Sequence, residues 1–594
     1  MDLLTENENF ISKLDNSIRS KVSRLVKLKN YHCEKLYSED FKTHNLDFVK
    51  KNKNTKNNVS NIDLNYMINK LNNSTNININ TNQNIDLYLN KFINNNYNLQ
   101  CSKKILSELE SYKLKKCKSD DNDCKDKKNN IIHSKTTEFI PTSIKNNISK
   151  IITLALRDGI ILETEINMFC FGNIFYKKKK IIDNLSVNNS RCLIALDNKL
   201  KIVNKYLRDT FISPCFHPKN FNVDFELNNK VDQNIHKAKK VVNFNKDEMT
   251  FNFETISNIA NECIKDESSK IQLDLSNAFN NVSYDLLKLV LDNYIDYRLF
   301  KVLLTKQELH ELTDDLIDEM MKKFKYNFIN LFTFIISKIK FYDNNIIKYI
   351  KKSNELKNNN INENNIIKYA ILERNKGLPQ GCSFSTDIFV MCMDFIIKHI
   401  INILETELDL TYGKDYSMIC YVDDIMLSLK TEKSKGHYEN ILDCIENEFT
   451  VFKFKMNKKK TLFSKNCTSF IDMTKYNNSI IKDSDKFLGI YYENNISKYL
   501  ELINNELKIK FNQDTNKHTL QNIDNYIKEL EIFNNYNDIH KFLNKGKFKL
   551  RLEGSLRYRL TKFIDLKSKK TKNDQYKQLL YTNNLDWIAK YIFN

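Results

Sequence analysis

The chain has 594 residues, 41% of them hydrophobic, and 93 Lys plus Arg against 74 Asp plus Glu give a formal net charge of +19. Its 13 cysteines are scattered with no Cys-x-x-Cys pair, which excludes a zinc ribbon and a disulfide framework, and no apolar run approaches a membrane span. The polar, acidic start, Met1 to Glu6, is unlike a presequence, so the expectation is a soluble, intracellular protein of several domains with no membrane partner. The basic surplus suits a polyanionic partner, although part of it follows from an AT-rich codon bias that also favours Asn, Ile, Tyr and Phe.

Residues 1–150 read as an extension. The first forty have helical character, Asn52 to Asn98 is rich in asparagine, and Lys115 to Asn130 is almost wholly polar. Such stretches bury too little apolar surface to offset their ordering entropy, so the extension is expected to be helical and partly disordered. Residues 151–270 follow, with a basic run at Lys177 to Lys180, then Arg191 in an apolar segment and a helical pattern from Lys199 to Leu207. Cys215-Phe216-His217 is read as local packing, and His310-Glu311 lacks the second histidine of a zinc-protease helix.

Ile271-Gln272-Leu273-Asp274-Leu275 is an apolar strand that ends in one acid, with an aromatic ring, Phe279, five positions after Asp274. A helical pattern runs from Tyr284 to Asp292, a long helical stretch from Leu299 to Lys340, and an Asn-rich loop from Lys352 to Asn365. Next comes Lys376-Gly377-Leu378-Pro379-Gln380-Gly381. The chain holds only 9 Gly and 4 Pro, and two of those glycines and one proline fall within five positions here. Such concentration marks a special backbone, a tight turn or a close approach to a ligand. Tyr421-Val422-Asp423-Asp424 lies between two apolar runs and reads as strand, tight turn and strand with carboxylates at the bend. Ionised carboxylates there need a counter-charge, and a divalent cation suits them. If the strand ending in Asp274 neighbours this hairpin, three carboxylates meet.

In order and in detail these pieces resemble the palm motifs of the reverse transcriptase family, RNA-directed DNA polymerases of the non-LTR, group II, retron-like or telomerase-like kind. Asn457-Lys458-Lys459-Lys460-Thr461 resembles the lysine-bearing segment after the catalytic hairpin, Phe487-Leu488-Gly489-Ile490 the primer-grip hairpin, and Arg191 to Leu196 the fingers segment that meets the triphosphate. The resemblance covers about residues 170 to 495. It implies an α+β right-hand polymerase: the extension over 1–150, fingers over 151–270, an antiparallel palm over 271–495 with a helical insertion at about 297–370, and a helical thumb over 496–594. The stretch between Phe279 and Gly377 is longer than in compact reverse transcriptases, which keeps a telomerase-like affinity open.

By the same resemblance, Asp274, Asp423 and Asp424 hold two Mg²⁺ ions, for which Mn²⁺ can substitute, and the Leu275 carbonyl completes a metal shell. Arg191 and one of Lys177 to Lys180 bind triphosphate oxygens. Gln380 and Gly381 touch nucleotide or template, Lys460 gives a proton to pyrophosphate, and Phe487, Leu488 and Gly489 hold the primer. The Phe279 ring under the sugar leaves no space for a 2′-hydroxyl, so dNTPs are the expected substrates. The partners implied are an RNA template and a DNA primer, or an RNA–DNA duplex. Alternatives are a polymerase of the same fold making RNA, and a catalytically retired, maturase-like RNA-binding protein.

Overall fold

The computed structural model describes residues 14, 16–37, 92, 94–112, 140–178, 190–216, 260–261, 263–264, 267–357, 370–372, 374–379, 382, 384–471, 479–514, 558–563 and 572–582. The architecture is α+β. Two antiparallel-rich sheets of four strands are held among helices, with a short hairpin as a separate two-stranded sheet.

The first sheet has the order β2-β1-β4-β5. Strand β1 (Phe171–Lys178) pairs antiparallel with β2 (Ser190–Leu196) and parallel with β4 (Lys340–Tyr342), which pairs antiparallel with β5 (Ile371–Leu372). The stretch from 297 to 370, set apart above as an insertion in the palm, thus supplies β4 to the sheet that β1 and β2 begin. Helix α4 (Asn198–Leu207) follows β2, capped by Asp197, whose carboxylate accepts from the Lys199 N–H at 2.9 Å.

The second sheet has the order β6-β7-β3-β8, from β3 (Ser269–Asp274), β6 (Tyr416–Tyr421), β7 (Asp424–Leu429) and β8 (Leu462–Phe463). Strands β3 and β7 are its centre, and side chains that alternate along β7 enter different cores, as the period of two requires. Ile425, Leu427 and Leu429 join the main core, while Met426 joins a second cluster with Phe487, Ile490 and Tyr499. Apolar side chains on both faces, with Ser428 buried beside them, suit a strand covered on both sides. Below the sheet lies α8 (Ser385–Glu407), whose residues Ile388 to Ile397 are all buried.

Between the sheets run α5 (Tyr284–Tyr294) and α6 (Asp314–Lys338). The Ser283 hydroxyl caps α5 by accepting from the Leu286 N–H at 3.1 Å. Helices from the N-terminal region complete the main core. Helix α2 (Asn96–Ser111) and α3 (Thr142–Thr153) bury Cys101, Ile105, Ile148 and Ile152 there. They are pinned by a buried ion pair: Arg157 donates to Glu308, to the Leu303 carbonyl at 2.7 Å and through Nε to Asn98 Oδ1 at 2.9 Å. Helix α1 (Asn16–Tyr37) packs separately, setting Ile18, Val22 and Val26 against Ile346 and Ile350 of α7 (Asn344–Lys357). So the described parts of the extension are packed helices.

Past the second sheet, the hairpin of β9 (Lys486–Phe487) and β10 (Ile490–Tyr491) leads into α10 (Ile496–Asp514). Glu506 of α10 accepts from Lys486 at 2.5 Å, Tyr491 at 2.9 Å and Arg559 at 2.8 Å, which ties hairpin, helix and the 558–563 segment together. Helix α11 (Lys572–Tyr581) adds Tyr576 and Leu580 to the same cluster. Of the expected thumb, residues 515–557, 564–571 and 583–594 lie outside the described residues. Among those residues no helix is long and apolar enough to cross a membrane.

Candidate active site

Asp274 is the last residue of β3 and stands directly opposite Asp424, the first residue of β7. Across the other edge of β7, Asp424 pairs with Tyr421, so Val422 and Asp423 form the two-residue turn of the β6–β7 hairpin. The three carboxylates therefore share one end of the sheet. Val422 has φ 60, a left-handed conformation that two-residue hairpins normally give to glycine. For a β-branched side chain this strain is on the order of 1–3 kcal/mol. The Cys420 thiol beneath the turn donates to the Val422 carbonyl at 3.2 Å.

The segment after α9 (Tyr438–Val451) holds Asp274 by both main chain and side chain. The Asn457 N–H donates to the Asp274 carbonyl at 2.8 Å, and Asn457 Nδ2 donates to Oδ2 at 3.0 Å. Lys460 Nζ donates to both carboxylate oxygens, at 3.3 and 3.1 Å. Leu275 bridges to Met456 and buries its side chain in the main core, and the Ser276 N–H reaches the Lys455 carbonyl at 2.8 Å. Burial, with Asp423 and Asp274 adding to it and Lys460 opposing, pushes the Asp424 acid up to about 6. The array asks for positive charge, and Lys460 supplies one cation at its edge.

Phe279 follows a left-handed Asn277 (φ 50) and lies flat on Phe389, with ring centroids 4.5 Å apart and planes at 17°. Its carbonyl accepts the Leu378 N–H at 2.8 Å, and the Gly377 N–H reaches the Val282 carbonyl at 2.7 Å. Gly377 has φ +88, and a Cβ there would meet Asn280 Cα and O at 2.9 Å. This close approach is why the chain spends one of its rare glycines here. Arg374 steadies the turn, donating to the Gly377 carbonyl at 3.0 Å and to the Ile336 carbonyl at 2.5 Å, while the Ser385 hydroxyl donates to the Pro379 carbonyl at 2.6 Å. Leu488 (φ 48) and Gly489 (φ 84) make the β9–β10 turn with positive φ at both central positions. Phe487 is fully buried in the second cluster, so it packs the hairpin from beneath. The Tyr558 hydroxyl donates to the Leu488 carbonyl at 2.5 Å, and Gln272 Nε2 of β3 to the Lys486 carbonyl at 3.4 Å.

Asp274, Asp423, Asp424 and Lys460 thus come together, with Leu275 adjoining, Phe279 and Gly377 in one bonded pair of turns, and the Leu488–Gly489 turn tied to β3. Arg191 stands on β2 opposite Lys177. Gln380, Gly381, Lys179 and Lys180 lie outside the described residues. Asn457, Arg374 and Tyr558 carry contacts that the sequence reading did not assign. A rare arginine three positions before Gly377, in a lysine-rich chain, was the available signal for Arg374. Asn457 was visible only as the start of a basic segment, and Tyr558 left no local signal.

Residues 323–492 match the family model described as "Reverse transcriptase (RNA-dependent DNA polymerase)". No curated protein matches the chain. Similar solved structures include telomerase from Candida albicans in complex with a TWJ fragment of telomeric RNA, at 13% identity and TM-score 0.31, covering 72% of this chain and 65% of that one. Another is apo telomerase from Candida tropicalis truncated from its C-terminal domain, at 12% identity and TM-score 0.26, covering 50% of each chain. The chain spans less than two thirds of the length of either, and likenesses at these scores carry no functional weight.

Proposed function

We propose, from the match of residues 323–492 to the reverse transcriptase family model and the carboxylate geometry, that the chain is an RNA-directed DNA polymerase, a nucleotidyltransferase that extends a primer 3′-hydroxyl with dNTPs on an RNA template. The observation that carries this reading is the cross-strand pair Asp274–Asp424 with Asp423 in the adjoining turn. In this reading the second sheet is the palm, the first sheet belongs to the fingers, and α10 with the segments after it forms the thumb.

The donor set suits a hard divalent cation: carboxylate oxygens, one of them on an acid whose ionisation burial opposes and positive charge favours. Among the described residues no three metal-binding side chains close on a common point. Mg²⁺ would take the rest of its shell from water and substrate phosphates. Asp274, Asp423 and Asp424 would hold it, with the Leu275 carbonyl as a further oxygen. When bound, the metal supplies charge that favours the ionised primer hydroxyl and the leaving pyrophosphate.

The chain's own residues do the rest. Asn457 and the β3–β7 register fix where the Asp274 carboxylate stands. Lys460, paired with Asp274, neutralises it in the absence of substrate and gives a proton as pyrophosphate departs. Phe279, braced by Phe389, closes the space beside the sugar C2′ and excludes ribonucleotides. The Gly377–Pro379 turn, locked to the backbone after Phe279, sets the neighbouring wall of the pocket, and the Leu488–Gly489 turn supports the primer end. Arg191 and a lysine of 177–180 serve the triphosphate.

The test is primer extension on an RNA template with Mg²⁺ or Mn²⁺, comparing dNTPs with rNTPs, with Asp423→Ala in parallel. Extension with dNTPs that is lost in the variant supports the reading. A folded chain that binds the duplex but extends with neither nucleotide set replaces it with the retired, RNA-binding alternative.

A further inference from the structure

Between Asn16 and Asn30, helix α1 carries Arg19, Lys21, Arg24, Lys27 and Lys29 and no acidic residue. Its apolar stripe packs on α7, and Lys21, Arg24 and Lys27 fall on one exposed arc of the helix. Helix α7 in turn exposes Lys348, Lys351 and Lys352 against a single acid, Glu355, among its described side chains. Lys21 Nζ lies 5.8 Å from the centroid of the Tyr349 ring, so the two sets of cations meet along one border. Codon bias supplies lysine everywhere in this chain, but it does not segregate charge. The exposed start of α6, for comparison, carries Asp314, Asp315 and Glu319.

The position of this surface narrows its partner. Helix α1 also lies against the short helix Ala278–Asn281, which contains Phe279, and against β5, which precedes the Gly377 turn. It therefore borders the proposed nucleotide pocket on the side built from the first sheet. The β9–β10 hairpin and α10 belong to the second cluster instead. We propose that the α1–α7 surface binds the phosphate backbone of the uncopied, single-stranded template just ahead of the pocket. This rests on the polymerase reading: a primer end at the carboxylates and the Leu488–Gly489 turn puts copied duplex towards α10, and the uncopied strand passes the pocket towards α1.

The experiment uses the full chain and the quadruple variant Lys21→Gln, Lys27→Gln, Lys348→Gln and Lys352→Gln, with the four Lys→Arg changes as a charge-retaining control. Binding to two RNA-template/DNA-primer pairs, one with a long 5′ template overhang and one with a single-nucleotide overhang, is titrated over a range of KCl. The glutamine variant should bind the long-overhang pair at least ~10-fold more weakly and lower its log K against log salt slope by about 2–3, at ~0.7 per single-strand phosphate contact. The short-overhang pair should change less than ~2-fold on the same principle, and the arginine control should bind both like wild type. Equal losses on both pairs, or no loss on either, overturn the proposal. Extension of the short-overhang pair separates the two readings. If the variant extends it normally and shows no overhang effect, only the surface assignment fails; if wild type does not extend it, the polymerase reading fails.

Discussion

Asp274 and Asp424 face each other as a directly opposed pair across β3 and β7. Opposed like charges weaken a strand pair, so the fold holds at this point an arrangement that its own stability disfavours. Asp424→Asn should therefore make the metal-free chain more stable at neutral pH, by about 1–2 kcal/mol once screening is allowed for. The same change should abolish extension. Thermal melts with and without Mg²⁺ check both halves: the metal should raise the wild-type midpoint and leave that of the variant nearly unchanged.

The pH dependence follows from the same carboxylate. Unfolded, Asp424 ionises near 3.8; folded, burial and its acidic neighbours delay ionisation to about 6. Between these values the unfolded chain binds fewer protons at this site. The Asp424 contribution to metal-free stability is therefore favourable at low pH, falls as pH rises from about 4 to about 6, and is flat above. Mg²⁺ affinity should strengthen over the upper part of that window. Denaturant titrations of wild type against Asp424→Asn, at several pH values, isolate the term.

Phe279→Ala removes the ring that stacks on Phe389. Ribonucleotide incorporation should rise by at least ~10-fold relative to deoxynucleotide, the scale at which steric exclusion of one small group discriminates. A rise in rNTP kcat/KM with little change for dNTP supports the gate, and unchanged selectivity refutes it.

Gly377→Ala places a Cβ 2.9 Å from the Asn280 backbone at a φ of +88. Both effects oppose it, with an expected loss of about 2 kcal/mol or more. The turn wall and the Phe279 turn share two backbone hydrogen bonds, so KM for dNTP should rise along with the loss of stability. Gly413→Ala, also at positive φ but with nothing within 4 Å of the added Cβ, reports the conformational cost alone.

Lys460 pairs with Asp274, and its two assigned tasks, counter-charge and proton donor, separate by substitution. Lys460→Arg keeps the charge but holds its proton too tightly to give it up. Its stability should match wild type, while the maximal extension rate falls about 100-fold, the scale of a general acid. Lys460→Ala should lose both. Single-turnover rates beside thermal melts distinguish the three proteins.

The second sheet was the most legible part of the chain. Asp274 ends an aliphatic strand, Asp423 and Asp424 sit between two more, and local periodicity suffices to make them strands. Their neighbourhood in space is a long-range fact that only the recognised motif order supplied. The extension was less legible: the first forty residues read as helical, but nothing local showed that Ile18, Val22 and Val26 pack on Ile346 and Ile350, hundreds of residues away. The stretch from 297 to 370 looked like an addition for a similar reason. A three-residue strand such as β4, next to the 25-residue helix α6, leaves almost no alternation to read.

The strand order of the first sheet also governs how the chain can be made. Strand β1 is flanked by β2, which leaves the ribosome soon after it, and by β4, which is synthesised more than 140 residues later, with β3 of the other sheet in between. Neither sheet is complete when the other begins, so the nascent chain carries an unpaired β1 edge until residue 342 has emerged. Long-range pairing of this kind folds slowly, and an exposed edge invites association with other strands. A fragment cut before β4 should therefore aggregate during synthesis instead of folding as a separable N-terminal module.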